Sequence, residues 1–164
     1  MDVDFKTGIL GGEREITLPT GKKLQVKIPA GIKSGTKLRL ANIGKSTNDT
    51  YIEINVLPSP LFKRSDNDIE FDLPLSLSEA ILGGEVNIPT IDGPIILNVP
   101  KGLTTGSKIR IKGKGVPHKG GRGDQFAVIT VVMPSKIDAD LDKFFTEWNK
   151  THAYNPREGK GWDK

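Results

Sequence analysis

A few short stretches carry residue types that could do chemistry. Gly44-Lys45-Ser46 has the ending of a phosphate-cradling loop, where backbone N–H groups wrap a phosphate and the lysine neutralises it. That loop also needs a glycine five positions before its last glycine, and position 39 is arginine, so a turn between strands is the better reading. Asp66-Asn67-Asp68 resembles part of a calcium loop, but Phe71 and Leu77 stand where the required glycine and glutamate would be. A polar turn between domains fits it better. His118 lies in a glycine-rich loop and His152 in the C-terminal tail, neither beside a nucleophile or a ligand pattern. Gly120-Gly121-Arg122-Gly123-Asp124 is glycine-rich but reads as a link between strands, without the strand-to-helix context of a dinucleotide site. Cysteine is absent, which removes disulfides, thiolate metal sites and cysteine nucleophiles. No acid, base and nucleophile come together, so neither an enzyme nor a cofactor is expected.

The remaining chemistry is recognition. Lys108, Arg110, Lys112 and Lys114 alternate with Ile109, Ile111 and Gly113, which predicts four cations on one strand face. Two readings stay open: a solvated face, or a stripe contacting nucleic-acid phosphates. The second would show the steep salt dependence of counterion release. The net charge of +4 in 164 residues is mild and does not by itself demand an acidic partner. No stretch approaches the roughly 20 apolar residues of a membrane span, and Met1-Asp2-Val3-Asp4 does not open a signal peptide. A soluble, cytoplasmic protein with no membrane partner is the expectation.

These residues must be positioned by an internal repeat. Leu10-Gly11-Gly12-Glu13 recurs as Leu82-Gly83-Gly84-Glu85, and residues 28–40, Ile-Pro-Ala-Gly-Ile-Lys-Ser-Gly-Thr-Lys-Leu-Arg-Leu, recur as residues 99–111 with one residue lost between the motifs. A self-match of this length means one structural unit used twice in tandem. Period-two alternation dominates both copies, as in Leu24-Gln25-Val26-Lys27-Ile28 and Tyr51-Ile52-Glu53-Ile54-Asn55-Val56, and marks half-buried antiparallel strands. Nineteen glycines and eleven prolines punctuate them. The fold class is all-β: two tandem small β-sandwich or barrel-like domains, with short helices and a C-terminal amphipathic helix. Leu77–Leu82 reads as one short helix stopped by Gly83-Gly84, with Phe5–Leu10 as its counterpart. Ile137, Leu141, Phe144, Phe145 and Trp148 share one face of a longer helix over 137–150, and Asp138, Asp140 and Asp142 suit its N-terminal dipole. The domains fall at 1–65, 66–136 and 137–164, the last holding the helix and a polar tail with His152, Tyr154 and Trp162.

Taken in order, Gly11-Gly12-Glu13, Ile28-Pro29-Ala30-Gly31, Pro60-Leu61-Phe62-Lys63-Arg64 and Asp72-Leu73-Pro74-Leu75-Ser76-Leu77-Ser78-Glu79-Ala80 form a distinctive set. Pro89-Thr90-Ile91-Asp92-Gly93, Gly113-Lys114-Gly115-Val116-Pro117 and Gly121-Arg122-Gly123-Asp124 complete it. Nearly the whole chain thereby resembles the C-terminal substrate-binding region of J-domain co-chaperones, the DnaJ family. The chain has no His-Pro-Asp tripeptide, no Gly/Phe-rich linker and no cysteine-rich insertion near Ile16–Pro19. The resemblance is therefore to the zinc-free subclass, which includes the curved-DNA-binding type, and implies a J-domain upstream of Met1.

The resemblance implies a co-chaperone that assists protein folding. It would bind unfolded client polypeptides and the acidic tail of a DnaK-type ATPase chaperone, with DNA as the alternative partner. By family position the client groove falls on Ile16 and Leu18, closed by Phe62, with Arg14 and Lys63 placed to meet carboxylates. On spacing alone Ile16 and Leu18 could equally be core. Phe62 sits in a polar run after Pro60, an odd place for a core aromatic, so Phe62→Ser is expected to weaken suppression of client aggregation while leaving the fold intact. The C-terminal helix resembles the family's dimerisation element, with Leu141, Phe144, Phe145 and Trp148 as contacts in a homodimer. Packing on its own second domain is the alternative.

Overall fold

The structure is a computed structural model and describes residues 1–40 and 49–161. Gly44-Lys45-Ser46 and Trp162 lie outside the described residues. In the first copy the chain runs β1 (Asp2–Val3), α1 (Phe5–Leu10), β2 (Gly12–Thr17), β3 (Lys23–Ile28), β4 (Thr36–Leu40) and β5 (Thr50–Val56). It continues through β6 (Lys63–Ser65), β7 (Asp68–Ser76), α2 (Leu77–Leu82), β8 (Gly84–Ile88), β9 (Ile95–Val99) and β10 (Lys108–Ile111). The short strands β11 (Pro117–His118) and β12 (Gly121–Arg122) precede β13 (Gln125–Val132), and α3 (Ala139–His152) follows. Tandem β domains of this type, with a C-terminal helix, are the architecture the repeat predicts. Residues Met1–Val132 form one compact unit and Met133–Lys164 another.

The copies repeat down to the pairing. In the first, β1 lies parallel to β5 and β4 antiparallel to it; in the second, β7 lies parallel to β13 and β10 antiparallel to it. The hairpins β2–β3 and β8–β9 match as well. Each short helix has an N-cap side chain, Asp4 or Ser76, and stops at a glycine, Gly11 or Gly83, whose N–H returns to Thr7 or Glu79. Gly11 at φ +77° and Gly83 at +72° sit where a Cβ would lie 2.7 Å from the Ile28 carbonyl and 2.6 Å from that of Val99. Only glycine serves there, which is why the Leu-Gly-Gly-Glu motif recurs intact.

Each copy has its own core. Val3, Ile28, Ile32 and Ile54 build the first; Phe71, Leu73, Leu75, Ile88, Val99 and Ile129 are the main members of the second. A third cluster of Ile9, Ile69, Ile91 and Val116 joins the copies, with Phe5, Leu10 and Phe62 packed against it. Asp66-Asn67, read as a polar turn between domains, instead closes the β6–β7 hairpin, with Asp66 at φ +52° and Ser65 opposite Asp68. The boundary drawn at residue 65 thus falls within a hairpin of the second sheet. The two family glycine motifs meet at this hairpin: Val116 N–H donates to the Asn67 carbonyl at 2.8 Å, and a Cβ on Gly123 would lie 1.7 Å from that oxygen.

Candidate functional site

In β2 and β3, cross-strand partners share a face. Arg14 lies opposite Val26, and Ile16 opposite Leu24. Val26 and Ile28 are buried at the core end of this face, while Ile16, Leu18 and Leu24 are only half-buried towards the hairpin tip. The other face carries Glu13, Glu15, Lys23 and Lys27, all exposed, with Lys23 paired to Glu15 at 2.8 Å. The apolar stripe therefore runs out of the core into partial exposure. β2 pairs with β3 alone among the described residues, so its outer edge offers backbone groups to an added strand. Leu18 lies one residue past the strand, where its N–H and carbonyl bond to the Lys22 carbonyl and the Gly21 N–H, each at 2.8 Å. Leu24, absent from the sequence-derived set, belongs with Ile16; alternation marks it as apolar, but only the register puts it there.

Phe62 is a structural ring. It is half-buried, packs against both the second core and the joining cluster, stacks on Phe5 at 6.3 Å and meets Phe71 edge-on at 6.2 Å. The polar run hides this because its neighbours Lys63 and Arg64 belong to the edge strand β6, a pairing invisible locally. Contrary to the expectation from sequence, Phe62→Ser would not spare the fold: the change would open a void between two aromatic rings.

The predicted cations differ in availability. Arg14 is held by the Asp4 carboxylate and donates to Thr7 Oγ1 at 3.0 Å. The N–H and hydroxyl of Thr7, then Arg14, hold the Asp4 carboxyl below its ordinary range. Lys63 is exposed and has no ion pair among the described residues. Arg64, which sequence reasoning passed over, is half-buried and donates to the carbonyls of Asp66 at 2.7 Å, Ile32 at 2.9 Å and Gly31 at 3.0 Å. Burial lowers its pKa, partly countered by Asp66. It clasps the Pro-Ala-Gly turn of the first copy to the hairpin that opens the second sheet.

The four-cation stripe is not one strand face. β10 ends at Ile111, and Gly113 at φ +71° turns the chain, its N–H bound by Asp124 Oδ1 at 2.8 Å. Lys112 and Lys114 consequently leave the strand. Lys108 pairs with Glu70 at 2.7 Å, Arg110 with Asp124 at 3.0 Å and Lys114 with Asp92 at 3.3 Å, so of these four only Lys112 lacks an ion pair among the described residues.

On α3, Leu141 is half-buried and no residue is fully buried. Ile137 lies before the helix, which starts at Ala139 because Asp138 caps it through the Leu141 N–H at 2.8 Å. Phe144 and Phe145 meet edge-on at 5.3 Å, Phe145 and Trp148 at 6.3 Å, and Trp148 stacks on His152 at 5.1 Å. Among the described residues no helix is long and apolar enough to cross a membrane, and no group of acidic, histidine or cysteine side chains could hold a metal ion.

The family model of the DnaJ C-terminal domain matches residues 1–134. "Chaperone protein DnaJ 2" of Synechocystis sp. is 38% identical over 149 residues, 90% of this chain and 48% of that protein. "Chaperone protein DnaJ" of Geobacillus thermodenitrificans is 38% identical over 146 residues, 84% of this chain and 38% of that protein. The protein of the same name from Clostridium perfringens is 39% identical over 130 residues. The chain spans about half the length of these relatives or less. On the duplicated sheets, the paired glycine stops and this match, the chain belongs to the DnaJ C-terminal domain family.

Proposed function

We propose that this chain is the client-binding module of a DnaJ-type co-chaperone and that it has no catalytic role of its own. It holds extended apolar segments of unfolded polypeptides against β2. The observation that carries this reading is the open outer edge of β2 beside the half-buried face of Ile16, Leu18 and Leu24. An added strand would gain main-chain hydrogen bonds, and its alternate side chains would meet that face. Exposed Lys63 is the better anchor for the acidic tail of a DnaK-type partner, because Arg14 already serves Asp4. The short loop from Leu18 to Lys22 supports the zinc-free subclass, since a zinc module would be inserted there. DNA remains the alternative partner, but pairing of Lys108, Arg110 and Lys114 favours the solvated-face reading. We further propose that the chain is a homodimer through Leu141, Phe144, Phe145 and Trp148, which would present two grooves to one client and raise avidity.

The test is Ile16→Ser combined with Leu18→Ser. Client affinity and suppression of client aggregation should fall about tenfold or more, as for loss of two apolar anchors, while circular dichroism stays unchanged. Unaltered client binding in that variant would overturn the reading.

A further inference from the structure

A concavity of about 350 Å³, within the range of small-molecule sites, lies where the first copy meets the β6–β7 hairpin. None of its walls belongs to β2 or β3, so it is separate from the client face. Buried Ile32, half-buried Phe5 and Val56, and exposed Leu57 and Pro58 make it apolar. Two cations also line it, Lys33 and Arg64. The hydrogen bonds of Arg64 all go to neutral carbonyls, leaving two of its five N–H groups without a partner among the described residues. A half-buried guanidinium with no anion in contact is a costly arrangement, and burial accordingly lowers its pKa. Asp66 is the one carboxylate among the described lining residues, but it is almost fully exposed and stands 3.9 Å from Lys33. The repeat does not dictate the second cation, since Thr104 stands in the second copy where the first has Lys33.

We infer that this cavity binds a small anionic amphiphile, an alkyl carboxylate whose tail packs on Phe5, Ile32, Val56 and Leu57 and whose head meets Arg64 and Lys33. A planar carboxylate matches the guanidinium fork and supplies the charge that Arg64 lacks. The tail gains by leaving water for an apolar wall. An alkyl chain suits the cavity better than a peptide, because the backbone groups around it are already engaged. The Val56 N–H donates to the Ser34 hydroxyl at 2.7 Å, the Leu57 N–H to the Val3 carbonyl at 2.8 Å, and the Ile32 carbonyl accepts from Arg64. Pro58 has no N–H to offer. A peptide seated here would find few main-chain partners, whereas an alkyl tail needs none.

The probe is octanoate, titrated into the full chain and followed by the amide chemical shifts in NMR. One site per chain should fill, with the shifts centred on residues 32–34, 56–57 and 64–66. Octanol keeps only the tail and acetate only the charge, and each should bind about tenfold more weakly or worse. Lys33→Thr, a change at an exposed position to what the second copy carries, should weaken octanoate about threefold. It should leave octanol binding and the melting curve unaltered. Leu57→Glu, also exposed, should abolish octanoate binding by setting a like charge against it. Octanol that binds as tightly as octanoate, shifts centred on Ile16, Leu18 and Leu24, or an unaltered affinity in both variants overturns the inference. A short peptide ending in leucine that displaces octanoate from the same amides at lower concentration overturns it too, and makes the occupant a polypeptide end.

Discussion

The side chains that matter most are those whose partners lie far along the chain. Asp92 shows it: Arg122 grips its two oxygens at 2.8 and 2.9 Å while Lys114 sits 3.3 Å away. The Arg122 hydrogen bonds, and then Lys114, hold the Asp92 carboxyl below its ordinary value. A depressed carboxyl stabilises the fold above the unfolded-state pKa of about 3.9, and that contribution is lost as pH falls through the folded value. Asp92→Asn should therefore cost about 1 kcal/mol in urea unfolding at neutral pH. The deficit should shrink as pH falls below the unfolded value and through the lower folded one, where wild-type Asp92 also becomes neutral. A deficit independent of pH would mean the carboxylate charge contributes nothing. None of this was legible in the sequence, since alternation assigns Lys114 to a face and cannot reveal that Asp92 waits opposite. The same blindness made Phe62 look like a surface aromatic and Lys108, Arg110 and Lys114 look free.

Local signals carried the elements much further. The Leu-Gly-Gly-Glu motifs announced both helix stops, and period-two alternation located β3, β4, β5 and β10, because caps and pleats are decided within a few residues. What escaped was β6, a three-residue strand that exists only through its pairing with β7. β2 also ends at Thr17, one residue before Leu18. Because Gly11 and Gly83 perform one task twice, Gly11→Ala and Gly83→Ala should be equally damaging. Each forces a side chain into the left-handed region against a carbonyl, at a cost of about 2–3 kcal/mol. Denaturant midpoints would check this, with Gly106→Ala, where no atom lies within 4 Å of the added Cβ, losing less. A smaller loss at Gly83 than at Gly106 would refute the close-approach argument.

At the scale of the molecule, the duplication was plain in the sequence, but the joint between the copies was not. Arg64, Phe62 and the cluster of Ile9, Ile69, Ile91 and Val116 tie Met1–Val132 into one compact unit. The two sheets should consequently open together. Native-state hydrogen exchange should give the slowest amides of β5 and β13 the same opening free energy, within about 0.5 kcal/mol. Arg64→Met should lower both in step. An opening energy for β5 several kcal/mol below that of β13 would mean the copies fold independently.

The glycine crossing at Asn67 and the burial of Ile9 by Val116 also set an order of events during synthesis. Ile9 is made first, and Val116, which helps seal it, is translated more than a hundred positions later. At about 5–20 residues per second, that leaves an apolar helix end without its cover for some 5–20 seconds on every ribosome. On the client-binding reading proposed above, the module would for that interval display the kind of surface it recognises.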